Sequence, residues 1–500
     1  MVFLSPFSFI KLRSHPEKGL KILKPNGMLS YIVANKWFKA GYGEPLRQFF
    51  IQNSIVEQII DFGHAPIFED ADTFPCIVLV RAPTNEASQD LLDPLVQICP
   101  VSREHLTNIN LSQYVKQEGY NVLWSRFTIN SWSLEPPSVD VLMQKLKTSG
   151  TILKTYSDVK PLLGIKTGFN EAFLINDEKR RNIIKFDPKS GSIIQPYLRG
   201  QDIKRWNSDW KNLWIILLKS SSDHLWSWSN AKTEIEAEKI FSTEFPSLYT
   251  HLKSFENQLR KRQDQGRYWW ELRPCAFYET FEKPKILYQE INTFPTYSID
   301  HSGNFLNNKV FFLPTADLFL LACLNSPIGW WISHRLFPKM IGDAVTPRGD
   351  LMVNFPIAPP TDEIRSQVKP IVTRLIEITK INQESIREVL DWLRMEQSIE
   401  KLGNKLEDFA SLDCDQFVQE IKKRKPKDTG LNPKALKEVR EVYNDYAPKI
   451  QTHRAEALSL EIQLSDLVNQ AYGLTPEEID LMWKTAPPRM PIPNPNRNGE

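Results

Sequence analysis

Apolar positions recur along this chain with strand-like spacing up to about residue 360 and with helical spacing beyond it. Four short apolar runs of strand length occupy residues 28–34, 55–62, 75–80 and 95–98. A helical pattern covers residues 43–53, and the turn residues Pro25 and Gly27 precede the first run. This order predicts an α/β fold that contains the C-terminal part of a Rossmann-like, doubly wound sheet. Because such a sheet needs neighbours on both sides of each strand, we expect the chain to begin inside a domain.

The second half predicts a mixed α/β domain followed by helices. Short apolar runs alternate with Gly, Pro, Asn and Asp turns between residues 151 and 360. A helical seam follows Thr361, and its apolar positions are Ile364, Val368, Ile371, Leu375 and Ile378. Two further helices are predicted over residues 433–446 and 452–472, and a last one begins after Thr475. The predicted domains are residues 1–98, a connector over 99–150, residues 151–360, a helical region over 361–486 and a disordered tail over 487–500.

Composition excludes several classes of protein. The chain has 500 residues, is 41% hydrophobic and has a mean hydropathy of -0.37, and it lacks an apolar run long enough to span a bilayer. The basic residues Lys11 and Arg13 follow the N-terminal apolar stretch, which is the reverse of a secretory signal. We therefore expect a cytoplasmic protein without a membrane partner. The scattered cysteines and histidines predict neither a disulfide framework nor a metal site.

Absent motifs narrow the chemistry further. The sequence has no glycine-rich dinucleotide loop, no phosphate-binding P-loop, no zinc-protease motif and no nucleophile elbow. A self-contained catalytic centre is therefore not predicted. The loop after Ala34 would lie at the carboxyl edge of the sheet, where ligands bind in doubly wound folds.

Several ordered motifs resemble those of gamma-class adenine-specific DNA methyltransferases, above all the large type II restriction-modification enzymes with a TaqI-like target-recognition domain. The matching segments are residues 23–43, 59–63, 67–68, 73–77, 164–173, 196–206, 269–274, 283–286 and 354–360. Together they extend over roughly residues 17 to 485. The resemblance implies that residues 1–98 are the C-terminal part of a methyltransferase domain and residues 151–360 the target-recognition domain.

This sequence departs from the pattern of the family in two motifs. Enzymes of this family carry a glycine-rich S-adenosylmethionine loop and an N-P-P-Y motif, and neither occurs here. That motif accepts hydrogen bonds from the adenine amino group and stacks on the flipped base. We therefore expect S-adenosylmethionine to serve the complete enzyme and not to bind this chain alone. A start-site error, a frameshift or a split gene with a separate N-terminal methyltransferase polypeptide would each explain the departure.

The resemblance also implies a stacking residue for the flipped adenine. The matching position is Phe68, with Phe74 as the second choice, and a core role for either phenylalanine stays open. Stacking of a base on an aromatic ring contributes about 1 to 3 kcal/mol.

Clustered cations and aromatic rings predict contacts to double-stranded DNA, because cations neutralise phosphates and rings pack on sugars or bases. The candidates are Lys36, Lys39, Lys166, Thr167, Asn170, Arg199, Asp202, Lys204, Arg205, Arg260, Lys261, Arg262, Arg267, Tyr268, Trp269, Trp270 and Arg273. A helix end with a core tryptophan pair is the structural alternative for residues 260–273, and a local salt bridge is the alternative for Arg199 and Asp202. An ordinary turn is the alternative for the loop with Lys166, Thr167 and Asn170, and an ordinary glycine-containing connection is the alternative for the loop with Lys36 and Lys39.

These observations predict the DNA-recognition part of an N6-adenine DNA methyltransferase from a restriction-modification system, inactive alone. The alternative is a non-catalytic DNA-binding specificity subunit that acts through a partner. A degenerate product without binding function is a third interpretation.

Overall fold

The chain folds into two compact units. The structure, a computed structural model, describes residues 16–63, 67–68, 74–83, 93–101, 106, 110–130, 132–426 and 430–495. The first unit comprises residues 1–145 and 338–343, and the second comprises residues 146–337 and 344–500. The architecture is mixed α/β with a helical C-terminal part, as the sequence predicts.

A five-stranded mixed sheet in the order β1-β3-β2-β4-β5 forms the first unit. Its strands are β1 (Met28–Ala34), β2 (Ile55–Asp61), β3 (Pro75–Arg81), β4 (Leu95–Pro100) and β5 (Tyr120–Leu123). Strand β3 lies between β1 and β2 and is antiparallel to both, whereas β2 and β4 are parallel. All four predicted strands form. β5 adds a fifth strand from the predicted connector.

Aromatic packing fills one side of this sheet. Helix α1 (Glu44–Asn53) buries Leu46, Phe49 and Phe50, which is the face predicted from its spacing. Trp37 follows β1 and packs edge-on against Trp132, with ring centroids 5.1 Å apart. The other helices that begin in this part of the chain are α2 (Leu111–Glu118) and α3 (Pro137–Ser149). Trp37 therefore holds the loop after β1 in place by packing into a buried aromatic cluster.

The second unit contains two larger sheets. One has the order β10-β13-β12-β15-β7 and the other the order β14-β9-β11-β8. Their strands are β7 (Leu162–Leu163), β8 (Leu174–Asn176), β9 (Ile194–Leu198), β10 (Trp206–Asn207), β11 (Leu213–Ile216), β12 (Lys285–Gln289), β13 (Tyr297–Asp300), β14 (Phe305–Leu306) and β15 (Val310–Leu313). Three shorter strands of the second unit are β6 (Thr151–Ile152), β17 (Ala344–Val345) and β18 (Pro356–Ile357), and another short strand, β16 (Lys339–Met340), belongs to the first unit.

Helices surround these sheets. They are α4 (Leu153–Ser157), α5 (Asn170–Phe173), α6 (Asp177–Phe186), α7 (Glu234–Glu244), α8 (Pro246–Lys253), α9 (Glu256–Lys261), α10 (Leu318–Asn325), α11 (Pro327–Leu336) and α12 (Gly349–Met352). α10 is buried from Phe319 to Asn325, so its sequence shows no polar face.

The helical region is built on two long helices. α13 (Asp362–Met395) begins where predicted, because the Thr361 side chain accepts a hydrogen bond from Ile364 N. The shorter helices are α14 (Gly403–Glu407), α15 (Cys414–Arg424) and α17 (Pro476–Lys484). α16 (Pro433–Ala471) is a single helix, so the prediction of two helices here is wrong. Pro448 lies inside it between the buried residues Ala447 and Ile450, whose packing outweighs the missing backbone donor of proline.

Part of the predicted disordered tail is ordered. Ile492 is buried, and Trp330 Nε1 donates a hydrogen bond to Pro488 O at 3.1 Å. The sequence does not predict these contacts, because the tail has a low apolar content and one buried side chain produces no periodic pattern.

Candidate nucleic-acid interface

The carboxyl ends of β1 and β2 meet the start of β3 in the first unit. Asn35 N donates to Phe74 O at 2.6 Å, and Asn35 Nδ2 donates to Asp61 Oδ1 at 2.6 Å. The same carboxylate oxygen accepts from Gly63 N at 3.1 Å. Gly63 has a φ of 52°, which glycine adopts without strain. Asn35 and Asp61 thus form a fixed polar pair. Asp61 was not predicted as a site residue, although a carboxylate at the end of an apolar strand is a recognisable signal.

The two phenylalanines predicted for base stacking differ in access. Phe68 is 44% exposed, whereas Phe74 is 6% exposed. Lys36 Nζ lies 4.6 Å from the centroid of the Phe74 ring, a cation–π contact. Lys36 and Lys39 are both exposed on the loop after β1. A flipped base needs an open ring face, so the geometry favours Phe68 over Phe74 for the predicted role.

The loop that carries Lys166, Thr167 and Asn170 is part of the second unit. Lys166 Nζ pairs with Asp264 Oδ2 at 2.7 Å and is 51% exposed. This hydrogen bond lowers the pKa of Asp264 below its ordinary value. Thr167 is buried and its hydroxyl donates to Asn170 Oδ1 at 2.7 Å, while Asn170 is exposed. Lys166 and Asn170 therefore face solvent, and Thr167 holds the loop.

The turn after β9 carries Arg199, Asp202 and Lys204. Asp202 is 2% exposed; its Oδ2 accepts from Arg199 N at 2.8 Å and its Oδ1 from Arg199 Nη2 at 3.2 Å. The local salt bridge that the sequence left open is therefore present. Arg199 is still 39% exposed, and Lys204 is exposed. Asp202 orients Arg199 and is itself enclosed.

Asn307 joins these two segments through its backbone. It forms a parallel bridge with Ile165, and its own N donates to Leu198 O at 2.9 Å. A side chain at Gly164 would place its Cβ 2.1 Å from Asn307 O, so only glycine fits this approach. Lys309, two residues beyond, is 66% exposed and pairs with Glu290 Oε2 at 2.7 Å. Asn307 and Lys309 were not predicted as site residues, although the sequence Asn-Asn-Lys between two apolar runs indicates a turn.

We call Lys166, Arg199 and Lys309 the three-turn surface, because neighbouring turns of the second unit carry them. Their side chains are 51%, 39% and 66% exposed. Each has one acidic partner that fixes its position without enclosing it. Such cations can exchange a carboxylate for a phosphate oxygen.

The aromatic part of the predicted patch is core. Tyr268, Trp269 and Trp270 are all buried, and Tyr268 stacks on Trp270 with centroids 4.8 Å apart. Arg262 is 7% exposed and donates to the carbonyl oxygens of Thr167, Trp269 and Glu271. Burial lowers the pKa of Arg262 to about 10, so it stays cationic at neutral pH. These four side chains do not face solvent, which corrects their placement on a DNA surface.

The other cations of this patch are exposed but mostly paired. Arg260 binds Glu234 and Glu256, and Arg273 Nη1 lies 3.5 Å from Asp264 Oδ1. The Arg267 Nη1 atom donates to Ser229 O at 2.7 Å. Lys261 is exposed at the end of α9. These four side chains reach solvent, unlike Arg262, and their contacts with DNA stay predictions.

Arg205 connects the turn after β9 to the helical region. Arg205 Nε donates to Glu461 Oε1 at 2.7 Å, and Trp206 Nε1 donates to the same oxygen at 2.6 Å. Arg205 is 15% exposed and Glu461 12%. Trp206 has a φ of 71°, a strained conformation for a bulky residue. Asn207 and Asp209 extend the contact to Gln383 and Arg387 of α13. We call this set of contacts the Glu461 lock; it places Arg205 in a structural role, which corrects its placement on the DNA surface.

Sequence relatives agree on one enzyme class. The family "Eco57I restriction-modification methylase" matches residues 15–68, and a domain of unknown function, DUF8810, matches residues 361–468. Type II methyltransferase M.BstVI of Geobacillus stearothermophilus is 19% identical over 406 residues, 75% of this chain and 68% of that protein. This chain is related to the type II restriction-modification methyltransferases. The Escherichia coli type II restriction enzyme and methyltransferase RM.Eco57I is 23% identical over 168 residues, 33% of this chain and 16% of that protein.

This chain spans about half the length of two solved restriction-modification enzymes that it matches. The type IIL enzyme MmeI, solved in complex with DNA, is 11% identical with a TM-score of 0.49, covering 95% of this chain and 51% of MmeI. The type IIG restriction endonuclease BpuSI is 12% identical with a TM-score of 0.32, covering 91% of this chain and 49% of BpuSI. The predicted resemblance to restriction-modification methyltransferases is confirmed. The gamma class, adenine specificity, TaqI-like domain and truncation stay predictions.

No helix in the described ranges is long and apolar enough to cross a membrane. Within the same residues, no group of three or more His, Cys, Asp or Glu side chains is placed to hold a metal ion.

Proposed function

We propose that this chain is the DNA-recognition part of a site-specific DNA methyltransferase of a restriction-modification system. The complete enzyme would transfer a methyl group from S-adenosylmethionine to adenine N6. The observation that carries the proposal is the three-turn surface, in which three exposed cations lie on neighbouring turns held together by backbone hydrogen bonds around Asn307. Relatedness to restriction-modification methyltransferases supports duplex DNA as the ligand.

The proposal gives each candidate residue a separate task. Lys166 and Lys309 neutralise phosphates, which fixes the register of the protein on the duplex. Arg199, oriented by Asp202, has the planar fork that can read guanine in the major groove. Phe68 of the first unit offers a ring for stacking of the extruded adenine.

The methyl donor has no assigned residues in this chain. The Asn35 amide nitrogen and the Asp61 Oδ1 oxygen bind each other, and that oxygen also binds Gly63 N. The sequence lacks the glycine-rich loop and the N-P-P-Y motif. The residues present therefore do not fit S-adenosylmethionine by themselves, and we propose that the chain alone does not transfer methyl groups.

Salt-dependent DNA binding tests the proposal. We expect the affinity for a duplex to fall as ionic strength rises, with a logarithmic slope of about -0.9 for each phosphate contact. The triple variant Lys166→Ala, Arg199→Ala and Lys309→Ala should reduce the steepness of this slope by about 1.8, because Lys166 and Lys309 contact phosphates whereas Arg199 contacts a base. Because each cation must first leave an acidic partner, we expect the affinity at 0.1 M salt to fall about 10- to 100-fold. Fluorescence anisotropy of a labelled duplex measures both quantities.

A matched variant removes three cations elsewhere in the second unit. Lys239, Lys380 and Lys449 are exposed on helices α7, α13 and α16, and their replacement by alanine should leave the slope nearly unchanged. Equal losses from both triple variants would mean that net charge and not the three-turn surface determines binding. Salt-independent binding by the unaltered chain would refute the proposal.

A further inference from the structure

Positively charged side chains converge where the short helix α14 meets the C-terminal end of α15. Lys405 belongs to α14, Lys423 and Arg424 lie in the last turn of α15, and Lys425 directly follows that helix. Lys405 is 65% exposed, and Lys423 is exposed as well. We call these four cations the Glu420 cluster, after the carboxylate around which they lie.

Glu420 neutralises only part of this charge. The Glu420 side chain is buried, with Oε1 3.4 Å from Lys405 Nζ and Oε2 3.3 Å from Arg424 Nη2. Burial raises the pKa of Glu420, but the hydrogen bond from Lys405 and the charges of Lys405, Lys423 and Arg424 outweigh burial and lower this pKa below its ordinary value. Among the described residues, Glu420 is the only carboxylate within ion-pair distance of the four cations. The cluster is therefore cationic at neutral pH.

The backbone at the start of α14 makes room for Arg424. Gly403 has a φ of 66°, and a Cβ at this position would lie 2.8 Å from both terminal nitrogens of the Arg424 guanidinium. A larger residue at position 403 would push the guanidinium aside. Lys425 Nζ donates to Oε1 of the buried Gln397 at 2.9 Å. The dipole of α15 favours cations in its last turn, but it does not explain Lys405, which comes from another helix.

Helix α13 connects this cluster to the turn after β9. Asp209 N donates to Asp202 O at 2.8 Å, and Asp209 Oδ1 accepts from Arg387 Nη2 of α13 at 2.7 Å. The eight residues of α13 beyond Arg387 span about 12 Å, and the Glu420 cluster lies just past the end of that helix. With the side chains at both ends of this path, the cluster is on the order of one turn of duplex DNA, about 34 Å, from Arg199.

We propose that the Glu420 cluster binds backbone phosphates of duplex DNA next to the segment that the three-turn surface contacts. This inference rests on the proposed function and adds a second contact surface, in the helical region. The planar fork of Arg424 fits phosphate oxygens, and the exposed lysines are point charges on flexible stems. A free phosphate ion offers the same oxygens. Four cations on two helices against one carboxylate fit successive backbone phosphates, each with one negative charge, better than a single ion.

Salt-dependent binding to duplexes of two lengths tests the proposal. The variant Lys405→Ala with Lys423→Ala should reduce the logarithmic salt slope by about 1.8 on a duplex of about 40 base pairs. Between 0.05 and 0.2 M salt, the affinity of the unaltered chain should therefore fall about 12-fold more than that of the variant. A duplex of about 10 base pairs reaches only half a turn to either side of the three-turn surface, so we expect equal slopes there. Fluorescence anisotropy of labelled duplexes measures these slopes.

A matched variant removes two cations elsewhere in the helical region. Lys369 and Lys449 are exposed on α13 and α16, and their replacement by alanine should leave the slope on the long duplex nearly unchanged. An equal loss in this control would make net charge the cause and overturn the inference. An unchanged slope in the Lys405→Ala, Lys423→Ala variant, or equal losses on both duplex lengths, would overturn it as well.

Other ligands are distinguished with the same variants on the full chain. Inorganic phosphate, titrated by calorimetry, would be the ligand if the Lys405→Ala, Lys423→Ala variant lost phosphate binding and kept its duplex slope. A single-stranded RNA of equal length, bound through these lysines more tightly than the duplex, would make RNA the ligand. Either result overturns the inference. An unchanged slope in the three-turn variant would instead refute the proposed function, because that variant leaves the Glu420 cluster intact.

Discussion

Replacement of Glu461 tests whether the helical region holds the turn after β9 in place. Both hydrogen bonds of the Glu461 lock, from Arg205 Nε and Trp206 Nε1, reach the same Oε1 atom. Glu461→Ala removes both and leaves a guanidinium that is 15% exposed without its carboxylate. Glu461→Gln retains an oxygen at this position and removes the charge. The two variants therefore separate the electrostatic contribution from the loss of the acceptor.

The structure sets the expected magnitude. Removal of one partner from a buried ion pair costs about 3–5 kcal/mol. Arg205 Nη1 keeps its hydrogen bonds to Pro295 O and to both oxygens of Asn325, at 3.2, 2.8 and 3.2 Å. These oxygens offset part of the loss, so we expect Glu461→Ala to lower the free energy of unfolding by about 3 kcal/mol. For Glu461→Gln we expect about 1 kcal/mol, because the acceptor remains.

Urea denaturation followed by tryptophan fluorescence measures these differences. The control is Glu441→Gln on the same helix, where the carboxylate is 61% exposed and lies 3.6 Å from Lys437. An exposed pair of this kind contributes less than about 0.5 kcal/mol. A Glu461→Ala variant as stable as the control would show that the lock does not stabilise the turn. A Glu461→Gln loss equal to that of Glu461→Ala would show that the charge alone matters.

Two further changes probe the second unit. Burial lowers the pKa of His251 below 6.5, so this imidazole binds a proton at a higher pH in the unfolded chain than in the folded protein. The protein therefore loses stability as pH falls below about 6.5. We expect this loss to be smaller in His251→Gln, measured by denaturation between pH 5 and 8. Gly164→Ala would place a Cβ 2.1 Å from Asn307 O and should cost about 1–3 kcal/mol in urea denaturation. Gly191→Ala, whose Cβ would lie 3.6 Å from Ile184, is the control; equal losses would contradict the steric argument.

Local sequence signals predicted elements well where one physical requirement dominates. The run from Met28 to Ala34 is apolar except for Ser30 and has the length of a strand, and it forms β1 with these bounds. Thr361 and Thr475 accept the hydrogen bonds of helix N-termini as their spacing predicts. In contrast, two helices were predicted over residues 433–446 and 452–472, where tertiary packing of Ala447 and Ile450 keeps α16 a single helix through Pro448.

Burial was the main obstacle to prediction of the interface. Arg262 and Trp270 have the residue types of a DNA-binding surface, yet both are buried, and Arg262 organises carbonyl groups. The local sequence does not distinguish Lys309 from other exposed lysines. Its position depends on Asn307, whose backbone binds segments more than a hundred residues away in the chain. Such proximity depends on the pairing of β9 with β14, a long-range contact without a local signature.

Methyl transfer by the isolated chain is the most direct test of the central claim. Full-length protein is incubated with duplex DNA and tritiated S-adenosylmethionine, and duplex binding is measured in the same buffer. The account predicts saturable, salt-dependent DNA binding without incorporation of tritium. Incorporation by the chain alone, or the absence of DNA binding at low salt, would contradict it.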